Sequence, residues 1–207
     1  MSVAYRLLYR VGFTPWEQLA TLPHLTEQIS ALFDREEHGL RPPYGPALDL
    51  GCGSGIWAVK LAKRGWQVTG VDLVPKALRR AGRRAQQAGV EIQLVRGDAT
   101  KLRGTEVGSG FPFLLDFGLF HDELTDRQRA AMGREVTAVA APGATLLMMA
   151  WARARRGPLP RGANRSDIEA AYPEWTVIDE QPFHLSGASF FKHMPNANPR
   201  FYRLRHD

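Results

Sequence analysis

The residues of this chain able to do chemistry fall into two sets. The first is a glycine run, Gly51-Cys52-Gly53-Ser54-Gly55, preceded by Asp49 and followed by Asp72 and Asp98. Three glycines at alternate positions strip side chains from one turn, so a ligand can approach the backbone closely. The start of the helix that follows offers unpaired N–H groups to an anionic group. Asp49 is placed to meet a cationic amino group, directly or through water. Asp72, with Leu73 beside it, suits the two hydroxyls of a ribose, and Asp98, with Ala99, suits an exocyclic adenine amino group. Singly, each aspartate could as easily cap a helix. Together, at successive strand ends, they outline one nucleoside pocket. A phosphate is the rival anion, but the third glycine of a dinucleotide fingerprint would fall where this chain has Ile56.

The second set is Asp116-Phe117-Gly118-Leu119-Phe120-His121-Asp122. An imidazole titrates near neutrality, so His121 suits proton abstraction from an acceptor, with Asp116 or Asp122 to orient the ring. The plainer role for such a histidine is to bond backbone and shape its loop.

These residues need elements to hold them. From Ala47 onward short apolar runs alternate with helical segments, the pattern of a parallel sheet covered by helices. Strands are expected at Ala47 to Leu50, Gln67 to Val71, Ile92 to Val95, Phe113 to Phe117 and Ala144 to Ala150. Helices are expected at Ile56 to Arg64, Pro75 to Ala88 and Thr125 to Ala140. After Trp151 come a loop rich in Pro, Gly and Arg, and a short helix at Ser166 to Tyr172 capped by its serine. Two late strands follow, Trp175 to Asp179 and Phe201 to Arg205, forming an antiparallel hairpin at a sheet edge. Ahead of the sheet, Ser2 to Val11 and Leu25 to Glu37 read as helices covering the strand ends. The expected organisation is a single domain over residues 1–207, with a helical cover at 1–40, a ligand-binding core at 44–150 and acceptor-side loops and strands at 151–207.

Composition narrows the classes. A chain of 207 residues with 44% hydrophobic content buries one α/β core. Its single cysteine, Cys52, excludes an intramolecular disulfide and suits a reducing, cytoplasmic setting. Met1 to Val11 lacks the continuous apolar core of a signal peptide, and no stretch is long and apolar enough to span a bilayer. The net charge of +6 permits contact with nucleic acid or anionic surfaces but demonstrates neither. Arg79, Arg80, Arg83 and Arg84 read as a solvated helix face. Arg153, Arg155, Arg156, Arg161 and Arg165 crowd the late loop.

From about Tyr44 to the C terminus the sequence resembles the class I S-adenosylmethionine-dependent methyltransferases. The likeness rests on Asp49-Leu50-Gly51-Cys52-Gly53-Ser54-Gly55, Val71-Asp72, Gly97-Asp98-Ala99 and the fourth strand. It implies an α/β, Rossmann-like, seven-stranded and mostly parallel sheet with helices on both faces and an antiparallel last strand. It also implies S-adenosyl-L-methionine as cofactor, S-adenosylhomocysteine as product, and Asp72 and Asp98 as ribose and adenine ligands. A narrower likeness, to the thiopurine, thiol, halide and tellurite methyltransferases, rests on Thr14-Pro15-Trp16-Glu17, Asp116 to His121 and Gly157-Pro158. In that group the N-terminal segment closes over the cofactor, which would make Trp16 a lid residue; the plain reading is a core-packing tryptophan. Glu17 stands where that group commonly has aspartate.

The acceptor side would then be walled by Tyr5, Tyr9, Trp16, Phe120, Trp151, Phe190 and Phe191, which suit rings, with His184 and His193 as further polar groups. No histidine, cysteine and carboxylate spacing marks a metal site, although Asp116, Asp122 or Glu123 could hold a divalent ion between substrate oxygens. The expected reaction is in-line transfer of a methyl group to a small-molecule hydroxyl (phenol, quinol or sugar), because His121 offers a base. A thiol acceptor is the alternative. An RNA or protein methyltransferase fits the basic charge but lacks an appended binding domain and interleaved aromatics. A cofactor-binding regulator is the non-enzyme alternative.

Overall fold

The computed structural model describes residues 9, 11–122, 124–153, 161–183 and 198–207. Seven strands form one sheet: β1 (Gly45–Leu50), β2 (Trp66–Asp72), β3 (Gln93–Arg96), β4 (Phe111–Phe117), β5 (Ala140–Ala150), β6 (Trp175–Pro182) and β7 (Arg200–His206). Their order is β3-β2-β1-β4-β5-β7-β6. Strands β1 to β5 are mutually parallel, and β7 runs antiparallel between β5 and β6. The order reverses between β1 and β4, so the chain leaves these two neighbours in opposite directions. A crevice is left at their carboxyl ends, where open α/β sheets bind ligands.

Alternation along the strands sorts the core into two layers, because successive side chains of a strand point to opposite faces. Leu48, Leu50, Leu114, Leu146 and Met148 share a core with α4 (Asp126–Val139) and α5 (Arg165–Ala171). Ala47, Phe113, Leu115, Leu147 and Met149 pack instead with α1 (Pro23–Glu37) and α2 (Ile56–Arg64). With both faces covered, the central strands read as continuous apolar runs. Helix α3 (Pro75–Ala88) buries Ala77, Ala81 and Ala85, small residues at helical spacing that let it lie close to its neighbours.

Several boundaries differ from the sequence expectation. Helix α1 begins at Pro23, which occupies the first helical turn, where its missing N–H costs nothing. The cap of α5 is Asn164, not Ser166: the Asn164 N–H donates to Asp167 Oδ2 at 2.8 Å, closing a capping box two residues earlier. Strand β5 starts at Ala140 and β6 runs on to Pro182. Pro15–Thr21 forms a 3₁₀ turn that the apolar periodicity did not announce. The expected helix Ser2 to Val11 and the Phe183 to Pro199 loop lie mostly outside the described residues. No described helix is long and apolar enough to cross a membrane.

Candidate active site

At the end of β1 the chain enters the glycine turn, and Gly51, Gly53 and Gly55 all adopt positive φ, the left-handed region that side chains disfavour. What each missing side chain makes room for differs. A Cβ on Gly53 would stand 2.6 Å from the Tyr9 hydroxyl, and one on Gly55 would stand 2.8 Å from Ala81 Cβ on α3. Gly53 therefore admits the N-terminal cover, whereas Gly55 serves helix packing and lines neither of the clefts described below.

Asp72 secures the same turn. Its Oδ2 accepts from the Gly53 N–H at 3.0 Å and its Oδ1 from the Val74 N–H at 2.7 Å. Burial raises its pKa, against the pull of these backbone donors. Asp98 Oδ1 accepts from both the N–H and the hydroxyl of Thr100, at 2.9 and 2.8 Å, which leaves Oδ2 without a hydrogen bond among the described residues. Leu73, Asp98 and Ala99 line one narrow cleft with Asp72, beside Leu119 and Met132. Asp72 also borders a second, larger cleft, lined by Tyr9, Trp16, Cys52, Trp57, His121 and Trp151 among others. The nucleoside ligands expected from the sequence are thus brought together at one edge of the crevice.

Asp49 stands apart from both clefts. It is 2% exposed, and burial, followed by the nearby Asp116 carboxyl, raises its pKa to about 8. The Ala58 N–H in the first turn of α2 bonds to it, while Oδ2 has no hydrogen-bond partner among the described residues. An orphaned carboxylate oxygen under the glycine turn is the unmet need that a cationic amino group, or water bound to one, would satisfy. With the glycine cradle and the uncommitted Asp98 oxygen, these residues fit an adenosyl group joined to an amino acid.

On the other side of the crevice two expected residues move out of the site. Asp116 is fully buried, and its oxygens accept from the N–H groups of Gly118, Leu119 and Phe120 at 2.8–3.3 Å. It builds the turn that carries His121 and lines neither cleft. Burial raises its pKa to about 7. Phe120 is likewise a core residue: its ring packs on Tyr172 at 5.7 Å and under the Arg129 guanidinium. In a tight turn the alternate residue points inward, so Phe120 and His121 cannot both face the cleft.

His121 does line the cleft. Its Nδ1 lies 3.1 Å from the Met149 carbonyl oxygen, and a carbonyl only accepts, so Nδ1 carries the hydrogen and Nε2 holds the basic lone pair of the neutral ring. Trp151 meets the imidazole edge to face at 6.0 Å. On the cover, Trp16 Nε1 donates to the Tyr9 hydroxyl at 3.4 Å, and burial raises the Tyr9 pKa. Phe190, with Tyr5, Phe191, His184, His193, Glu123, Arg155, Arg156 and Gly157-Pro158, lies outside the described residues.

Two cleft residues were missed in the sequence. Trp57, in the first turn of α2, and Leu119, against Gly51, both line the larger cleft. An aromatic two residues after the glycine run was the available signal. The arginine face of α3 is not wholly solvated either: Arg80 and Arg84 pair with Glu17 at 3.3 and 3.6 Å, pinning the Pro15–Thr21 turn beside the cleft.

Comparison with known proteins agrees with this reading. Residues 47–143 match the methyltransferase domain family. A ubiquinone biosynthesis O-methyltransferase of Cereibacter sphaeroides is 37% identical over 83 residues, covering 39% of this chain and 34% of that one. A 2-heptyl-1-hydroxyquinolin-4(1H)-one methyltransferase of Mycobacteroides abscessus is 28% identical over 147 residues, covering 69% and 63%. The chain thus spans about a third of the first relative's length and under two thirds of the second's. Among solved structures, the N-methyltransferase NodS of Bradyrhizobium japonicum, in complex with S-adenosyl-L-homocysteine, shares the fold. Its TM-score is 0.71 at 19% identity, covering 91% of this chain and 90% of that one. Residues 47–143 are thus similar to a methyltransferase domain, and the fold is one shared with solved methyltransferase structures.

Proposed function

We propose that this protein, acting as one domain, transfers the methyl group of S-adenosylmethionine to a hydroxyl on a small, ring-bearing acceptor such as a phenol or quinol, with His121 as the base. The observation that carries the proposal is the place of the His121 ring in the wall of the cleft, held there by its Nδ1–H bond to the Met149 carbonyl. The bound cofactor supplies an electrophilic methyl group on a sulfonium. Gly51, Gly53, Asp72, Leu73, Asp98 and Ala99 would hold it, with Asp49 compensating its amino group and Trp16 covering it. Trp57, Trp151 and Tyr9 offer aromatic faces to a planar acceptor and exclude water from the acceptor oxygen. As the oxygen bonds to carbon and the carbon–sulfur bond breaks, the hydroxyl proton passes to His121 Nε2.

Two relatives support a ring acceptor, being named for ubiquinone biosynthesis and for a hydroxyquinolinone. The single, buried thiol of Cys52 suits a cytoplasmic setting. The test is transfer of radiolabelled methyl from the cofactor to a panel of phenols, quinols, sugars and thiols, with products identified by mass spectrometry. A methyl ether on a ring hydroxyl is expected. Label found only on sulfur would give the site to a thiol, which needs no base, and binding without any transfer would favour a regulator.

A further inference from the structure

Arg129 lies in the first turn of α4, where a solvated arginine would be ordinary, yet it is 2% exposed. Its guanidinium sits 5.2 Å from the centre of the Phe120 ring, and Nη2 donates to the Gly162 carbonyl at 2.6 Å. Among the described residues, Nε and Nη1 have no hydrogen-bond partner. The nearest carboxylates, Asp126 and Asp167, stand 3.8 and 3.9 Å away, and both lie closer to Arg153, at 3.1 and 2.9 Å. Taking a guanidinium out of water is unfavourable unless close partners replace the lost solvation. Among the described residues the one close partner is a backbone oxygen, so the explanation for the burial lies in what that oxygen belongs to.

Gly162 is a junction. It has a φ of +78°, and a Cβ there would stand 2.1 Å from the Ala152 carbonyl oxygen, so only glycine fits. Its N–H donates to the His121 carbonyl at 2.9 Å, and the next N–H, of Ala163, donates to the Trp151 carbonyl at 2.7 Å. One turn therefore ties the loop after β4, which carries His121, to the segment after β5, which carries Trp151.

We propose that Arg129 is a positioning residue for the acceptor side: by holding the Gly162 carbonyl it fixes the backbone of His121 against that of Trp151, and so the imidazole against the Met149 carbonyl. The inference rests on the reading of His121 as the base. Because Arg153 continues to pair with both carboxylates, Arg129→Met removes one hydrogen bond without stranding a buried charge.

The test uses the protein saturated with S-adenosylhomocysteine and labelled with nitrogen-15 at histidine. In the unsubstituted protein the His121 Nδ1–H gives a slowly exchanging signal, and the Gly162 amide is protected from hydrogen exchange. In R129M both protections are lost, while the dissociation constant of S-adenosylhomocysteine stays within about twofold, and kcat falls about tenfold through misplacement of the base. R129K, which keeps a donor for Gly162, recovers most of the Nδ1–H signal. Wild-type signals and Gly162 protection in R129M would overturn the inference. If R129M does not fold, the unsubstituted protein decides, since a Gly162 amide exchanging as fast as an open chain overturns it directly. The variant His121→Ala separates the two levels: full turnover there removes the base, whereas lost turnover there with unaltered His121 signals in R129M removes only Arg129.

Discussion

The two banks of the crevice are built differently. At the ends of β1 to β3 the polar groups are fixed largely by their own neighbourhoods: Asp98 by Thr100, and Asp72 by Val74 and the glycine turn of the adjoining strand. At the ends of β4 and β5 they are fixed across the fold: the His121 ring by Met149, its backbone by Gly162, and Gly162 by Arg129. On the function proposed above, the first bank would meet one constant ligand through backbone geometry, so few residues need to cooperate. The second must suit an acceptor, and its shape depends on packing between elements remote in sequence. The two banks should therefore fail separately when altered.

The largest effect is expected on the acceptor bank. His121→Ala should lower kcat by about 10²–10⁴, the usual contribution of a positioned base, with cofactor affinity unchanged by calorimetry. A loss that appears in cofactor affinity instead would show the banks to be one unit.

On the cofactor bank, Asp72→Asn weakens the acceptors for Gly53, Val74 and a ribose. Hydrogen bonds to charged groups contribute about 1.5–3 kcal/mol, so the dissociation constant of S-adenosylhomocysteine should rise about 10- to 100-fold. The acceptor KM measured at saturating cofactor should barely move. An equal rise in both constants would mean that Asp72 shapes the whole crevice.

This asymmetry also explains what was legible in the sequence. The parallel core strands and the places of Asp72 and Asp98 at strand ends follow from alternating apolar runs, whereas the seven-strand count and the antiparallel last strand follow only from the family resemblance. Phe120 was misplaced for the opposite reason: whether it faces the cleft or the core depends on Tyr172 and Arg129, neither of which the heptapeptide reveals. Asp116 turns inward onto the N–H groups of its own turn, a choice its residue type alone does not distinguish from facing the cleft. The Glu17 contact with Arg80 and Arg84 escaped notice because helical spacing shows that arginines share a face, not what covers it.

Gly55 tests whether the glycine run is all ligand site. Its φ of +75° and the nearness of Ala81 make Gly55→Ala a packing change, destabilising by about 1–3 kcal/mol in chemical denaturation. Cofactor affinity of the folded fraction should stay as it was. A large loss of affinity with unaltered stability would return Gly55 to the ligand.

The smallest effect concerns Asp49, which joins the banks from beneath. Folding raises its pKa from 3.8 to about 8, so between these values the folded chain holds a proton that the unfolded chain releases. Stability contributed by this group is therefore present at acid pH and falls as pH rises towards 8, by at most about 1.4 kcal/mol per unit. Asp116, raised to about 7, adds a fall of the same sign. In Asp49→Asn the slope of stability against pH should flatten, leaving the Asp116 share. A cationic amino group brought near Asp49 favours the carboxylate, so S-adenosylhomocysteine binding at pH 7 should release a fraction of a proton, read by calorimetry in buffers of different ionisation enthalpy. That release should vanish in Asp49→Asn and persist in His121→Ala. Release unchanged in Asp49→Asn would assign the proton elsewhere and leave the buried carboxyl a purely structural cap for α2.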